Sequence, residues 1–88
     1  MSSNSYTIIV SRPAQKEIRS LDQGIRVRVL QALRALAVDP RPSGCRKLTG
    51  AQNRWRIRVG DYRVIYTVND TDHIVEIIIV RHRSKAYD

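Results

Sequence analysis

The sequence predicts an α+β domain, with an antiparallel helix pair packed on one face of a small, mainly antiparallel sheet in the order β-α-α-β-β-β. Three observations predict it. A short β-branched run near the start stops at a proline. The stretch from about 12 to 37 carries apolar side chains at three- and four-residue spacing, and the stretch from about 54 to 80 changes to short apolar runs separated by turn residues.

The first strand is Tyr6-Thr7-Ile8-Ile9-Val10, stopped by Ser11-Arg12-Pro13. Ser11 can cap a short helix, because its hydroxyl accepts from an early amide and Pro13 is tolerated in the first turn. That helix runs to about Leu21 and buries Ala14, Ile18 and Leu21. Asp22-Gln23-Gly24 then breaks the pattern, and Asp22 can cap a second helix. There Ile25, Val29, Leu33, Leu36 and Ala37 share one face, with Arg26, Arg28, Gln31 and Arg34 largely elsewhere. The segment from Asp39 to Gly44 ends it, since Pro40 and Pro42 cannot continue a helix.

In the second half, Trp55, Ile57 and Val59 alternate with Arg54, Arg56 and Arg58, the pattern of a half-buried strand. Tyr62 to Val68 and Ile74 to Val80 form two more strands, joined through Asn69-Asp70-Thr71-Asp72. If Gly60-Asp61 is a two-residue hairpin loop, Val59 faces Tyr62, Ile57 faces Val64 and Trp55 faces Tyr66. The opposite face then holds Arg58 beside Arg63, and Arg56 beside Ile65. Like charges opposed across strands repel, so guanidinium groups gathered there make sense if a phosphate sits among them, with a solvated strand face as the alternative. Trp55 is expected in the core, with a base-stacking platform as the alternative.

At 88 residues, the chain is expected to form a single domain over 1–88, with residues 1–5 flexible and no interdomain linker. Its core is thin, so an active site is expected on an open face. Sixteen Lys and Arg oppose eight Asp and Glu, a net charge of +8 that favours a polyanionic partner. Cys45 is the sole cysteine, which excludes an intrachain disulfide and fits a reducing cytoplasm. Met1 to Ser5 lacks a signal-peptide pattern, and no apolar run approaches the length that spans a bilayer. No phosphate loop, dinucleotide fingerprint or metal-ligand spacing is present, so neither metal nor cofactor is expected.

A second basic cluster, Arg81-His82-Arg83-Ser84-Lys85-Ala86-Tyr87, follows the last strand. Arginine offers phosphate charge, histidine a group that titrates near neutrality, and tyrosine a stacking surface or a proton. This mixture suits a metal-free ribonuclease, in which a 2′-hydroxyl attacks the neighbouring phosphate; taken alone, the tail could equally be a frayed, solvated terminus.

These residues carry a family resemblance over nearly the whole chain. Arg46-Lys47-Leu48-Thr49-Gly50, Trp55-Arg56-Ile57-Arg58, Asp61-Tyr62-Arg63-Val64-Ile65-Tyr66 and the His82-Arg83…Tyr87 ending together resemble the RelE/ParE toxin superfamily. The resemblance implies a toxin neutralised by a RelB-like antitoxin. In RelE-type members it implies an endoribonuclease that cleaves mRNA in the 30S A site, against 16S rRNA, leaving a 2′,3′-cyclic phosphate and a 5′-hydroxyl. By the same resemblance, Arg56 and Arg58 lie near the attacking hydroxyl and phosphate, and Arg63 braces the phosphate. Arg81 assists the leaving group and Tyr87 stacks on the RNA. Lys47, Arg54, Arg83 and Lys85 are expected to add RNA contacts.

Two departures qualify the resemblance. RelE has lysines where this chain has Arg56 and Arg58, and arginine is a poor proton acceptor. His82 or Tyr87 is therefore expected to take a larger share of proton transfer. The sequence also stops after Tyr87-Asp88, without the extra helix some relatives carry, so an antitoxin is expected to cover the basic face. A simple register puts Arg81 on the face opposite Arg56 and Arg58, which either a bulge or the chain leaving the strand after Val80 would correct. The alternatives are a ParE-like toxin that poisons DNA gyrase and a non-catalytic RNA-binding module.

Overall fold

Ser11 ends the first strand and begins the first helix. A computed structural model describes residues 5–50 and 53–85, so the expectation of a flexible start falls, but for Ser5, outside the described residues. Strand β1, Thr7–Val10, leads into helix α1, Arg12–Ser20, whose Ser11 cap accepts from the Ala14 amide at 3.2 Å. Helix α2, Gln23–Val38, starts after Asp22, which occupies the cap position but makes no side-chain cap bond. Ala14 and Ile18 of α1 and Val29, Leu33 and Leu36 of α2 are buried, as the spacing predicts.

Four strands follow: β2, Arg46–Lys47; β3, Arg54–Val59; β4, Tyr62–Asn69; and β5, Ile74–His82. A single 3₁₀ turn, Arg83–Lys85, comes after β5. The sheet runs β1-β5-β4-β3-β2, antiparallel except where β1 lies parallel to β5. Helices and sheet share one core with Ile57, Val59, Val64, Tyr66, Val68, Val75, Ile77 and Val80. Burying each such aliphatic side chain stabilises the fold by about 1.5–3 kcal/mol. The Tyr66 hydroxyl, fully enclosed, donates to the Pro40 carbonyl at 2.8 Å, and burial pushes its pKa up. Strand β2 is an addition to the four strands expected from sequence; its two residues pair with Arg56 and Trp55.

The β3–β4 register is the expected one throughout, from Val59 opposite Tyr62 to Trp55 opposite Tyr66. Gly60 takes φ +59° at the tip, the left-handed value that a tight hairpin turn needs at its first central residue. Strand β5 departs from simple alternation. Ile65 pairs with Ile79 but Tyr66 pairs with Ile77, so Ile78 is an extra residue with no counterpart on β4. Ser11 brackets this bulge: its amide donates to the Ile77 carbonyl at 2.9 Å and its hydroxyl to the Ile78 carbonyl at 2.8 Å. The bulge buries both Ile77 and Val80 and turns Arg81 to the face away from the helices.

Candidate functional site

Directly paired residues on neighbouring strands send their side chains to the same face. Arg58 of β3 is opposite Arg63 of β4, which is opposite Arg81 of β5, so three arginines form a row across the uncovered face of the sheet. The adjoining row is Arg46 of β2, Arg56 of β3, Ile65 and Ile79. Beyond it, Arg54 pairs with Thr67.

Two shallow cavities follow these rows. One, of about 260 Å³, is lined by Arg58, Gly60, Asp61, Tyr62, Arg63 and Arg83. The other, of about 360 Å³, is lined by Ser43, Gly44, Arg46, Arg56, Ile57 and Arg58. Arg58 lines both. Partial burial pushes the Arg56 pKa down, and the positive charges of Arg58, Arg63 and Arg46 push it down further. Arginine nonetheless stays protonated at neutral pH. The outcome is a concentrated field of guanidinium donors, with Asp61 at one rim and Glu76, opposite Thr67, at the other. The Arg83 amide donates to the Asp61 carbonyl at 2.7 Å, and the Arg83 Nε lies 3.8 Å from the Asp61 carboxylate.

The structure therefore brings together Arg56, Arg58, Arg63 and Arg81 on one face, with Arg83 at the hairpin end and Arg54 at the other. It does not bring His82 or Lys47 to them. His82 pairs with Tyr62, whose ring its imidazole meets edge-on at 5.1 Å. It lines a groove on the helix side with Asp22, Arg28 and Asp61. The bulge that turns Arg81 outward turns His82 away. Lys47 sits opposite Trp55, with its Nζ 6.0 Å from the indole centroid, while the Arg41 guanidinium lies 5.2 Å from it. Trp55 itself is half-buried, packed against the core and not within it. Tyr87 and the Lys85 side chain lie outside the described residues.

Arg46 is the site residue that sequence reasoning did not single out. Its position depends on β2 joining the sheet edge, and two residues carry too little periodicity to reveal a strand. Among the described residues, no three His, Cys, Asp or Glu side chains gather in a way that would hold a metal ion. No helix among them is long and apolar enough to cross a membrane.

Comparison with known proteins agrees with the fold. The family profile described as the ParE toxin of the type II toxin–antitoxin system parDE matches residues 8–87. The chain belongs to the RelE/ParE toxin superfamily. Within that superfamily, it is 31% identical to RelE in the RelE–RelB complex of Pyrococcus horikoshii, with a TM-score of 0.82 over 93% of this chain and 99% of that one. The intact Escherichia coli RelBE complex gives 28% identity and a TM-score of 0.79, covering 96% of this chain and 100% of that chain. Toxin RelE of Mycobacterium tuberculosis is 28% identical over 83 residues, 93% of this chain and 86% of its own length. The RelE/ParE toxin described here is thus the toxin component of a RelBE-type toxin–antitoxin system, with two helices on a mixed, mostly antiparallel sheet as in RelE.

Proposed function

We propose that this toxin is an endoribonuclease that cleaves mRNA on the ribosome and so stops translation. The reading rests above all on the row Arg58–Arg63–Arg81, with Arg56 beside it. A protein gains nothing in stability by facing like charges across strands, but such a row offers several bidentate donors to one phosphodiester.

In this reading, the 2′-hydroxyl oxygen forms a bond to the adjacent phosphorus and the bond from phosphorus to the 5′-oxygen breaks. The products are a 2′,3′-cyclic phosphate and a 5′-hydroxyl. The 2′-hydroxyl loses a proton and the departing oxygen gains one. Arg56, Arg58 and Arg63 hold the phosphate and offset the negative charge that grows on it in the transition state. In this reading Arg81 steadies the leaving oxygen, and Arg54 and Arg83 extend the backbone contacts along the face. Since arginine accepts protons poorly and His82 faces the helices, Tyr87 is the residue of this chain to test for proton transfer.

The partners in this reading are the ribosomal A site with its mRNA and a RelB-like antitoxin that covers the basic face. The archaeal and E. coli relatives are seen as RelE–RelB and RelBE complexes, which supports a partner of that kind. Ribosomes stalled on a defined message, incubated with the purified toxin and mapped by primer extension, test the proposal. Discrete cuts in the A-site codon that Arg63→Ala abolishes are expected. Uncut message, together with loss of gyrase supercoiling activity, would replace this reading with the gyrase-poisoning one that the name ParE carries.

A further inference from the structure

The fate of His82 remains open once the arginine row is assigned the phosphate. Its Nδ1 lies 3.1 Å from the Ser84 amide, which donates to it, and 2.9 Å from the Ser84 hydroxyl. A side-chain acceptor that takes the amide two residues ahead is the geometry of an Asx turn, usually made by Asp or Asn. The imidazole also meets the Tyr62 ring in a T-shaped contact. These bonds fix the first turn of chain beyond β5, and that turn contains Arg83. Its amide is tied to the Asp61 carbonyl, and its side chain lines the cavity with Arg58 and Arg63.

We infer that His82 is a positioning residue that mimics an Asx turn and thereby seats Arg83 over the hairpin, beside the phosphate-binding arginines. It touches neither RNA nor the reacting atoms. The inference rests on the ribonuclease reading for its functional consequence. Its geometric basis is separate: the side of the sheet on which His82 sits, the two bonds to Ser84, and the tie from Arg83 to Asp61. A proton-transferring histidine would instead need its ring on the arginine side of β5, within reach of the RNA.

Asparagine distinguishes the two roles, because it makes the Asx turn without an imidazole. Cleavage of A-site codons would be measured for wild type, His82→Ala, His82→Asn, Arg83→Ala and the His82→Ala/Arg83→Ala pair, each checked for folding by thermal melting. His82→Ala should lose about three- to tenfold in rate, the worth of a typical hydrogen bond. His82→Asn should recover most of that loss, with a pH–rate profile shaped like that of wild type. In the double variant, the histidine change should add little to the loss from Arg83→Ala, since both act through one group. A folded His82→Asn as impaired as His82→Ala, or losses that multiply in the double variant, would overturn the inference. A wild-type protein that cuts no message would instead overturn the ribonuclease reading, and the Ser84 amide resonance, expected to shift in His82→Ala but not in His82→Asn, would then still decide the geometric part.

Discussion

Arg63 and Arg81 face each other across β4 and β5 because Ile78 is one residue too many. Up to Ile77, the strand alternates in phase with β4; after Ile78 the phase is reversed, and the arginine that would have pointed to the helices points outward. Ser11, 67 residues earlier, holds the bulge through its hydroxyl and its amide.

The row of arginines sets like charges against one another across the strands, and in the proposed reading it binds a phosphodiester. Arg58→Gln removes a charge set against Arg63 and lining both cavities. Urea denaturation should show stability unchanged or raised by about 0.2–1 kcal/mol, the size of a cross-strand charge pair. Cleavage of A-site codons by the same variant should fall by at least tenfold. A variant that is both less stable and fully active would contradict the assignment.

A ligand that binds only the folded face raises the melting temperature by mass action. Tripolyphosphate at millimolar concentration should therefore stabilise the wild type, and the gain should shrink as sodium chloride rises toward 1 M, where the screening length is about 3 Å. Arg56→Ala and Arg63→Ala should each reduce the gain. Equal stabilisation of wild type and variants in a thermal shift titration would place the anion elsewhere.

How much of this was legible in the sequence differs from strand to strand. The β3–β4 register could be read because Gly60-Asp61 fixes the hairpin at two residues and the arginines alternate without interruption. The sides of Arg81 and His82 could not. Ile77, Ile78 and Ile79 are identical in chemistry, so nothing local marks the extra one, and its bracket, Ser11, lies at the other end of the chain. The helix cores followed from spacing, whereas β2 escaped because its two residues are strand only by virtue of their pairing with β3.

At the far end of the sheet, the Arg41 guanidinium donates to both oxygens of Asp70, at 3.2 and 2.8 Å, and the Tyr6 hydroxyl donates to one at 2.7 Å. The arginine bonds first, then the tyrosine bond, hold the Asp70 pKa down at about 2. A depressed carboxylate stabilises the fold above its unfolded pKa, near 4, and that contribution is lost as pH falls toward 2. Asp70→Asn should thus flatten the decline in stability between pH 4 and pH 2, measured by denaturation at stepped pH. An unchanged acid limb would show that the ion pair has no share in it.

Gly60 combines φ +59° with close neighbours: an added Cβ would meet Arg28 Nη1 and Ile25 Cδ1 at 3.3 Å. Gly60→Ala should destabilise the fold by about 1–2 kcal/mol through backbone strain alone. Two-state denaturation would measure it, and a neutral outcome would mean that the hairpin tip relaxes freely.

Because Ile78 has no counterpart on β4, it is slack in the strand. Loss of its single codon would let Ile77 and Ile79 follow one another in a regular ladder, with Ile79 still opposite Ile65 and Arg81 still opposite Arg63. A three-nucleotide deletion there would shorten the chain and spare the side on which every later residue is presented.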